Sequence, residues 1–204
     1  MMGDSKIIKK IGKCKDYLVI CDHSSNNIPK YYNNLGMTKK NLENHRAYDI
    51  GAANVATQLS NILDCNLVMA NFSRLLIDPN RGEDDPTLIP KISDGKIIKE
   101  NIKISLNDLE RKKRIKEYYA PYHRQINKFI EESLDYKKVP KILSIHSFTP
   151  IWKGKIRNIE AGILWDKDKR LSTLFLRTSI TSRNMSGPLI SFGSSPLPQP
   201  FPSF

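Results

Sequence analysis

The segment Lys141-Ile142-Leu143-Ser144-Ile145-His146-Ser147-Phe148-Thr149-Pro150 constrains the fold more than any other stretch of this 204-residue chain. An apolar run ends abruptly in a histidine, two hydroxyls, an aromatic ring and a proline. A buried strand reads this way when it delivers one polar side chain to a cleft at its C-terminal end, where ligands bind in open α/β sheets. Taken alone, His146 reads more often as a core histidine with a satisfied hydrogen bond. The pattern then recurs. Asp16-Tyr17-Leu18-Val19-Ile20-Cys21 is a short apolar run that passes into Asp22-His23-Ser24-Ser25-Asn26-Asn27-Ile28-Pro29. Two strands that each hand a histidine to a polar loop outweigh either case by itself.

Composition closes off several classes of function. A hydrophobic content of 39% with 26% charged residues describes a soluble globular domain. No apolar run approaches the roughly 20 residues that span a bilayer, and Met1 to Lys15 contains no continuous apolar segment of a secretory signal. Cys14, Cys21 and Cys65 are odd in number and show no C-x-x-C spacing, so a reducing cytoplasm is the expected location. The formal net charge of +12 invites a nucleic-acid partner. The lysines are nevertheless spread along the chain without a nucleic-acid motif. Arg111-Lys112-Lys113-Arg114 is read as the solvated face of a helix. Neither nucleic acid nor membrane is expected as a partner; a basic surface instead steers small anionic substrates.

Along the chain, residues 1–15 read as a flexible basic arm. After a polar connector, His45-Arg46-Ala47-Tyr48-Asp49-Ile50-Gly51 leads into a helix to about Leu63, with Val55, Leu59 and Ile62 as its apolar stripe. Asp49 stands at the expected N-cap, which is its structural alternative to any chemistry. Asn66 to Ala70 is a third strand. It opens into Ser73-Arg74-Leu75-Leu76-Ile77-Asp78-Pro79-Asn80-Arg81, where two arginines bracket an apolar segment. Arginine matches a carboxylate bidentately, so these residues read either as an anchor for an acidic substrate or as surface ion pairs. Residues 82–104 read as a long surface loop. Ser105 and Asp108 resemble a capping box at the start of a helix to about Leu134, kinked or divided at Pro121. His123, just after that proline, reads first as a packing or capping residue. A further strand is expected over 159–165 and a helix over 168–176. From residue 178 to 204 Pro, Ser and Gly dominate, the signature of a disordered, extended or non-native tail.

Two strand-end histidines and a carboxylate suit a catalytic zinc site, in which three protein ligands leave one position open. Arginines beside such a site hold a substrate carboxylate and stabilise developing oxyanion charge. The chemistry that emerges is metal-assisted hydrolysis of an amide on a small acidic molecule. No compact H-E-x-x-H accompanies it.

At this point the sequence resembles the N-formylglutamate amidohydrolase family, from about residue 17 to about residue 177. The resemblance is carried in order by Asp22 to Pro29, His45 to Ala52, Ser73 to Arg81, Pro121-Tyr122-His123, Ser144 to Pro150 and Gly162-Ile163-Leu164-Trp165. It implies an amidohydrolase-like domain over 16–177 with a fold related to zinc carboxypeptidases and aspartoacylases. That fold is a three-layer α/β architecture, with a mixed, mostly parallel sheet and helices on both faces. It also implies zinc bound by His23 and His146, with Arg74, Asn80 and Arg81 on the carbonyl and carboxylate of a small acidic N-acyl amino acid. Arg74 takes a catalytic as well as a binding role. The implied reaction is hydrolysis of N-formyl-L-glutamate to formate and L-glutamate, in histidine breakdown.

Two departures qualify this. The carboxypeptidase-like pattern places a glutamate ligand three residues after the first histidine, where this chain has Asn26. Asp49 is the replacement candidate for third ligand, with Asp22 second. The family pattern also continues to a late Glu-Ile-Arg segment that looks like the source of the general base, and no Asp or Glu follows Asp168 here. The expectation is an incomplete C-terminal part, truncated or frameshifted, with impaired hydrolysis. The alternative is a non-catalytic binder of small acidic ligands.

Overall fold

The computed structural model describes residues 5–106, 108–152, 154–158, 161–165, 173 and 190–193. In chain order the strands are β1 (Ile7–Lys10), β2 (Cys14–Cys21), β3 (Cys65–Ala70), β4 (Ile92–Ser93), β5 (Lys96–Ile97), β6 (Lys141–Ser147), β7 (Ile151–Trp152), β8 (Lys155–Ile156), β9 (Ala161–Leu164) and β10 (Ile190–Gly193). The helices are α1 (Lys39–Leu42), α2 (Ala52–Ile62), α3 (Leu109–Arg114) and α4 (Ala120–Asp135).

The main sheet runs β1-β3-β2-β6-β10-β9. β2 pairs parallel with both β3 and β6, and β9 pairs parallel with β10, whereas β1–β3 and β6–β10 are antiparallel. The sheet is therefore mixed, with a parallel centre, in an α/β fold. β3 is buried along its whole length, as expected of a parallel strand covered on both faces. Side chains alternate across the pleat. Leu18, Ile20, Val68 and Ala70 join Tyr122, Ile126 and Phe129 of α4 in one core, while Val19, Cys21, Leu67, Met69, Leu143 and Ile145 join Ala52 and Ala56 of α2 in another.

Several local expectations are revised. Ile7–Lys10 lies in the stretch read as a loose arm, yet it forms an edge strand opposite Leu67–Ala70. Its two lysines hide it from any apolar pattern, and pairing with β3 creates it. The fully buried residues of α2 are Ala52, Ala56 and Ser60, with Val55 and Leu59 of the expected stripe partly buried against the same core; Ile62, the third member of that stripe, is 80% exposed. Small residues spaced by four let the helix lie close on the sheet. Residues 82–104 are more than a surface loop. They carry the β4–β5 hairpin and bury Leu88, Ile89, Ile98 and Asn101.

Asp108, not Ser105, caps α3, its carboxylate accepting from the Glu110 N–H at 2.7 Å. A π-helical turn over Ile115–Tyr119 then leads into α4, with Pro121 in the first turn of that helix. The wider turn accommodates a residue that lacks an N–H and crowds the carbonyl four residues back. Arg111 and Arg114 are buried, against the expectation of a solvated cluster. The helix expected over 168–176, Thr173 apart, and the tail over 178–204, apart from Ile190–Gly193, lie outside the described residues.

Candidate metal centre

Because β2, β3 and β6 run parallel, their C-terminal ends open on the same edge of the sheet. His23 follows β2, Arg74 stands in the loop after β3, and His146 lies near the end of β6. Asp49 comes from the loop before α2. It does not cap that helix. Gly51, with φ of 83°, takes the N-cap position, where a left-handed backbone favours glycine. The Asp49 backbone N–H donates instead to the His23 carbonyl at 2.9 Å, which turns its side chain towards both histidines.

His23, Asp49 and His146 converge in the interior, with ligand atoms all within 4.8 Å of one another. Asp49 Oδ2 lies 3.4 Å from His23 Nδ1 and 2.9 Å from His146 Nδ1. A zinc ion bound about 2.0 Å from each of two ligand atoms, at the tetrahedral angle, holds those atoms about 3.3 Å apart. The two separations from Asp49 are close to that value, and the three residues together could hold a metal ion. Within the protein the Arg74 guanidinium joins this group: its Nη2 donates to Asp49 Oδ1 at 2.5 Å and also contacts His23 Nδ1.

The outer nitrogen of His23 supports the same reading. His23 Nε2 meets Asp78 Oδ1 at 2.7 Å. Metal-binding histidines are oriented in this way, one ring nitrogen tied to a carboxylate and the other presented to the ion. Asp78 is in turn held by the Asn80 N–H at 2.9 Å.

The electrostatics are those of interlocked opposite charges. Burial alone would lift the Asp49 carboxyl, but hydrogen bonds from His146 and His23, with the charges of His23 and Arg74, outweigh it and hold the group well below the usual carboxylate range. Asp78 is lowered against the same burial by the charge and hydrogen bond of His23 and by Arg74. For His146, burial opposes the charged imidazole, yet hydrogen bonds to Asp22 and Asp49, and their charges, hold its pKa up at about 9.

Of the residues singled out in the sequence, the structure brings His23, Asp49, His146 and Arg74 into one group. Asp22, the second candidate for third ligand, lies outside it and faces the far nitrogen of His146. Asn80 and Arg81 are exposed at the rim, beside Asp78 rather than in the buried group; Arg81 Nε is 3.9 Å from Asp78 Oδ2. Asp78, Tyr122 and Ser144 are contributors that the sequence reading did not assign. Ser144 carries a legible signal, a hydroxyl inside an apolar run two residues before His146 and hence on the same side of the strand.

The family model for N-formylglutamate amidohydrolase matches residues 15–185. A solved gene product of Agrobacterium tumefaciens superimposes with a TM-score of 0.83 at 32% sequence identity, over 92% of this chain and 74% of that one. An N-formylglutamate amidohydrolase from Ralstonia eutropha JMP134 is more distant, with a TM-score of 0.59 and 16% identity over 92% of this chain and 84% of its own, and shares the fold. No curated protein matches the chain.

Proposed function

The chain belongs to the N-formylglutamate amidohydrolase family, a family of hydrolases, and on that premise we propose that it is a zinc-dependent amidohydrolase acting on a small acidic N-acyl amino acid. N-formyl-L-glutamate, cleaved to formate and L-glutamate in cytoplasmic histidine breakdown, is the first substrate to test. The observation that carries this reading is the buried convergence of His23, Asp49 and His146 beside the Arg74 guanidinium. The zinc-carboxypeptidase kind of layering belongs to the same proposal.

The three ligands would hold zinc, which would supply Lewis acidity beside the Arg74 guanidinium. Arg74 brings a fixed positive charge to the same point. Its Nε is buried without a hydrogen-bond partner among the described residues. In that role Arg74 stabilises charge developing on the scissile carbonyl. Arg81 and Asn80, at the rim, suit the substrate carboxylate, for which a guanidinium fork gives bidentate recognition.

A second reading, a non-catalytic binder of small acidic ligands, is favoured by one observation: Arg74 Nη2 already contacts both Asp49 and His23 within the group. Formate release from N-formyl-L-glutamate by the zinc-supplemented protein separates the two. The hydrolase reading expects release, and a loss of about 100-fold or more in kcat/KM in Arg74→Ala. Binding of the substrate in calorimetry without any formate decides for the binder.

A further inference from the structure

Asp22 is a buried carboxylate to which the proposed chemistry gives no task. It is 3% exposed, between the end of β2 and the first turns of α4. Its Oδ1 accepts from the Tyr122 hydroxyl at 2.7 Å, and its Oδ2 accepts from Ser144 Oγ at 3.0 Å. Tyr122 and Ser144 are both 0% exposed. The same Oδ2 lies 3.2 Å from His146 Nε2, and Ser144 Oγ lies 3.1 Å from that nitrogen.

Proton counting assigns the directions. A serine hydroxyl has one proton, and Ser144 gives it to Asp22. Towards His146 the serine oxygen is therefore an acceptor, as is the carboxylate. Two acceptors on one ring nitrogen require that His146 Nε2 carry a proton. The ring is then fixed with Nδ1 on the side of Asp49, 2.9 Å from its Oδ2.

We propose that Asp22, Tyr122 and Ser144 form a positioning clamp that holds His146 with Nε2 as donor and presents Nδ1 to the His23–Asp49 group. This rests on the proposed metal reading. The three clamp residues come from three elements: the end of β2, α4 and β6. The clamp therefore transmits the packing of α4 against the sheet to one ligand of the metal. It is separate from the Asp78 contact that orients His23. Asp22 acts through His146 and touches neither substrate nor ion.

The test uses the full chain and zinc itself, in Asp22→Asn and Tyr122→Phe. Zinc affinity is measured by chelator competition, and exchange of the His146 ring Nε2 proton by nitrogen-resolved NMR. The clamp expects that proton to be protected in the unaltered protein and to exchange rapidly in Asp22→Asn, with zinc bound about 10–100-fold more weakly. Tyr122→Phe, which keeps the carboxylate, shifts both readouts in the same direction by less, and decides the matter if Asp22→Asn does not fold. Wild-type zinc affinity with a protected proton in the folded variants overturns the clamp, whatever their melting temperatures do, because a purely structural carboxylate would lower stability without moving either readout. If the unaltered protein binds no zinc, the metal reading falls. The proton readout alone then judges the clamp: loss of protection in Asp22→Asn upholds it and retention overturns it.

Discussion

His123 packs its ring 4.2 Å from that of Tyr119, and its Nε2 meets the Pro79 carbonyl at 3.1 Å. The carbonyl can only accept, so Nε2 donates, and the residue ties α4 to the loop that carries Asp78. Burial lowers its pKa, against smaller raising effects from the Asp22 charge and the Pro79 bond. A histidine with a depressed folded-state pKa contributes stability above its unfolded value of about 6.5 and loses it as pH falls below that value towards the folded pKa. Unfolding in urea at a series of pH values should therefore show stability falling below about pH 6.5, and His123→Gln should flatten that part of the curve. An unchanged slope in the variant contradicts this assignment. At this scale His23 and His146 are legible because each ends an apolar run. Asp78 is not, because an aspartate before proline and asparagine reads as a turn former, and its partner His23 is far away in sequence. Asp49 lies between these cases. Its position suggests a helix cap, and only the glycine two residues on frees its carboxylate for the histidines.

Helix α3 shows how an element-level expectation can invert. Four consecutive basic residues suggest a solvated face, but positions three apart share one side of a helix, and here that side is inward. Arg114 Nη1 donates to the Leu76 carbonyl at 2.9 Å and to Asn101 Oδ1 at 2.8 Å, while its Nε donates to Glu110 at 2.8 Å. Arg111 Nη2 reaches the carbonyls of Glu83 and Asp85 at 2.7 and 2.9 Å. The two side chains brace the segment on either side of Asp78, and so act on the site through its scaffold. Arg114→Met leaves buried acceptors unpaired and should destabilise the fold by about 2–4 kcal/mol in urea denaturation. Lys112→Met on the outer side should change stability by less than about 0.5 kcal/mol. Equal effects in the two variants would return the cluster to the solvated reading. The division of the long helix near Pro121 is legible in the sequence. The π-helical turn that accompanies it is not, since it depends on how the two halves pack.

Across the whole molecule, the parallel order of β3, β2 and β6 explains why residues far apart in sequence meet. Each strand delivers the residues at or just beyond its C-terminal end to the same edge, so that His23, the Arg74 loop and His146 arrive together and Asp49 is drawn in by a backbone hydrogen bond to His23. The three central strands are readable from the sequence because burial on both faces demands continuous apolar runs. β1 is not, because an edge strand has one partner and tolerates lysines. No helix among the described residues is long and apolar enough to cross a membrane. The claim on which the functional reading stands is that this edge of the sheet holds a metal through two histidines from different strands. Zinc content of the purified full chain, measured beside His23→Ala and His146→Ala with folding checked by circular dichroism, tests it directly. The expected result is about one zinc per chain, lost in each variant; unchanged zinc content in both folded variants would contradict it.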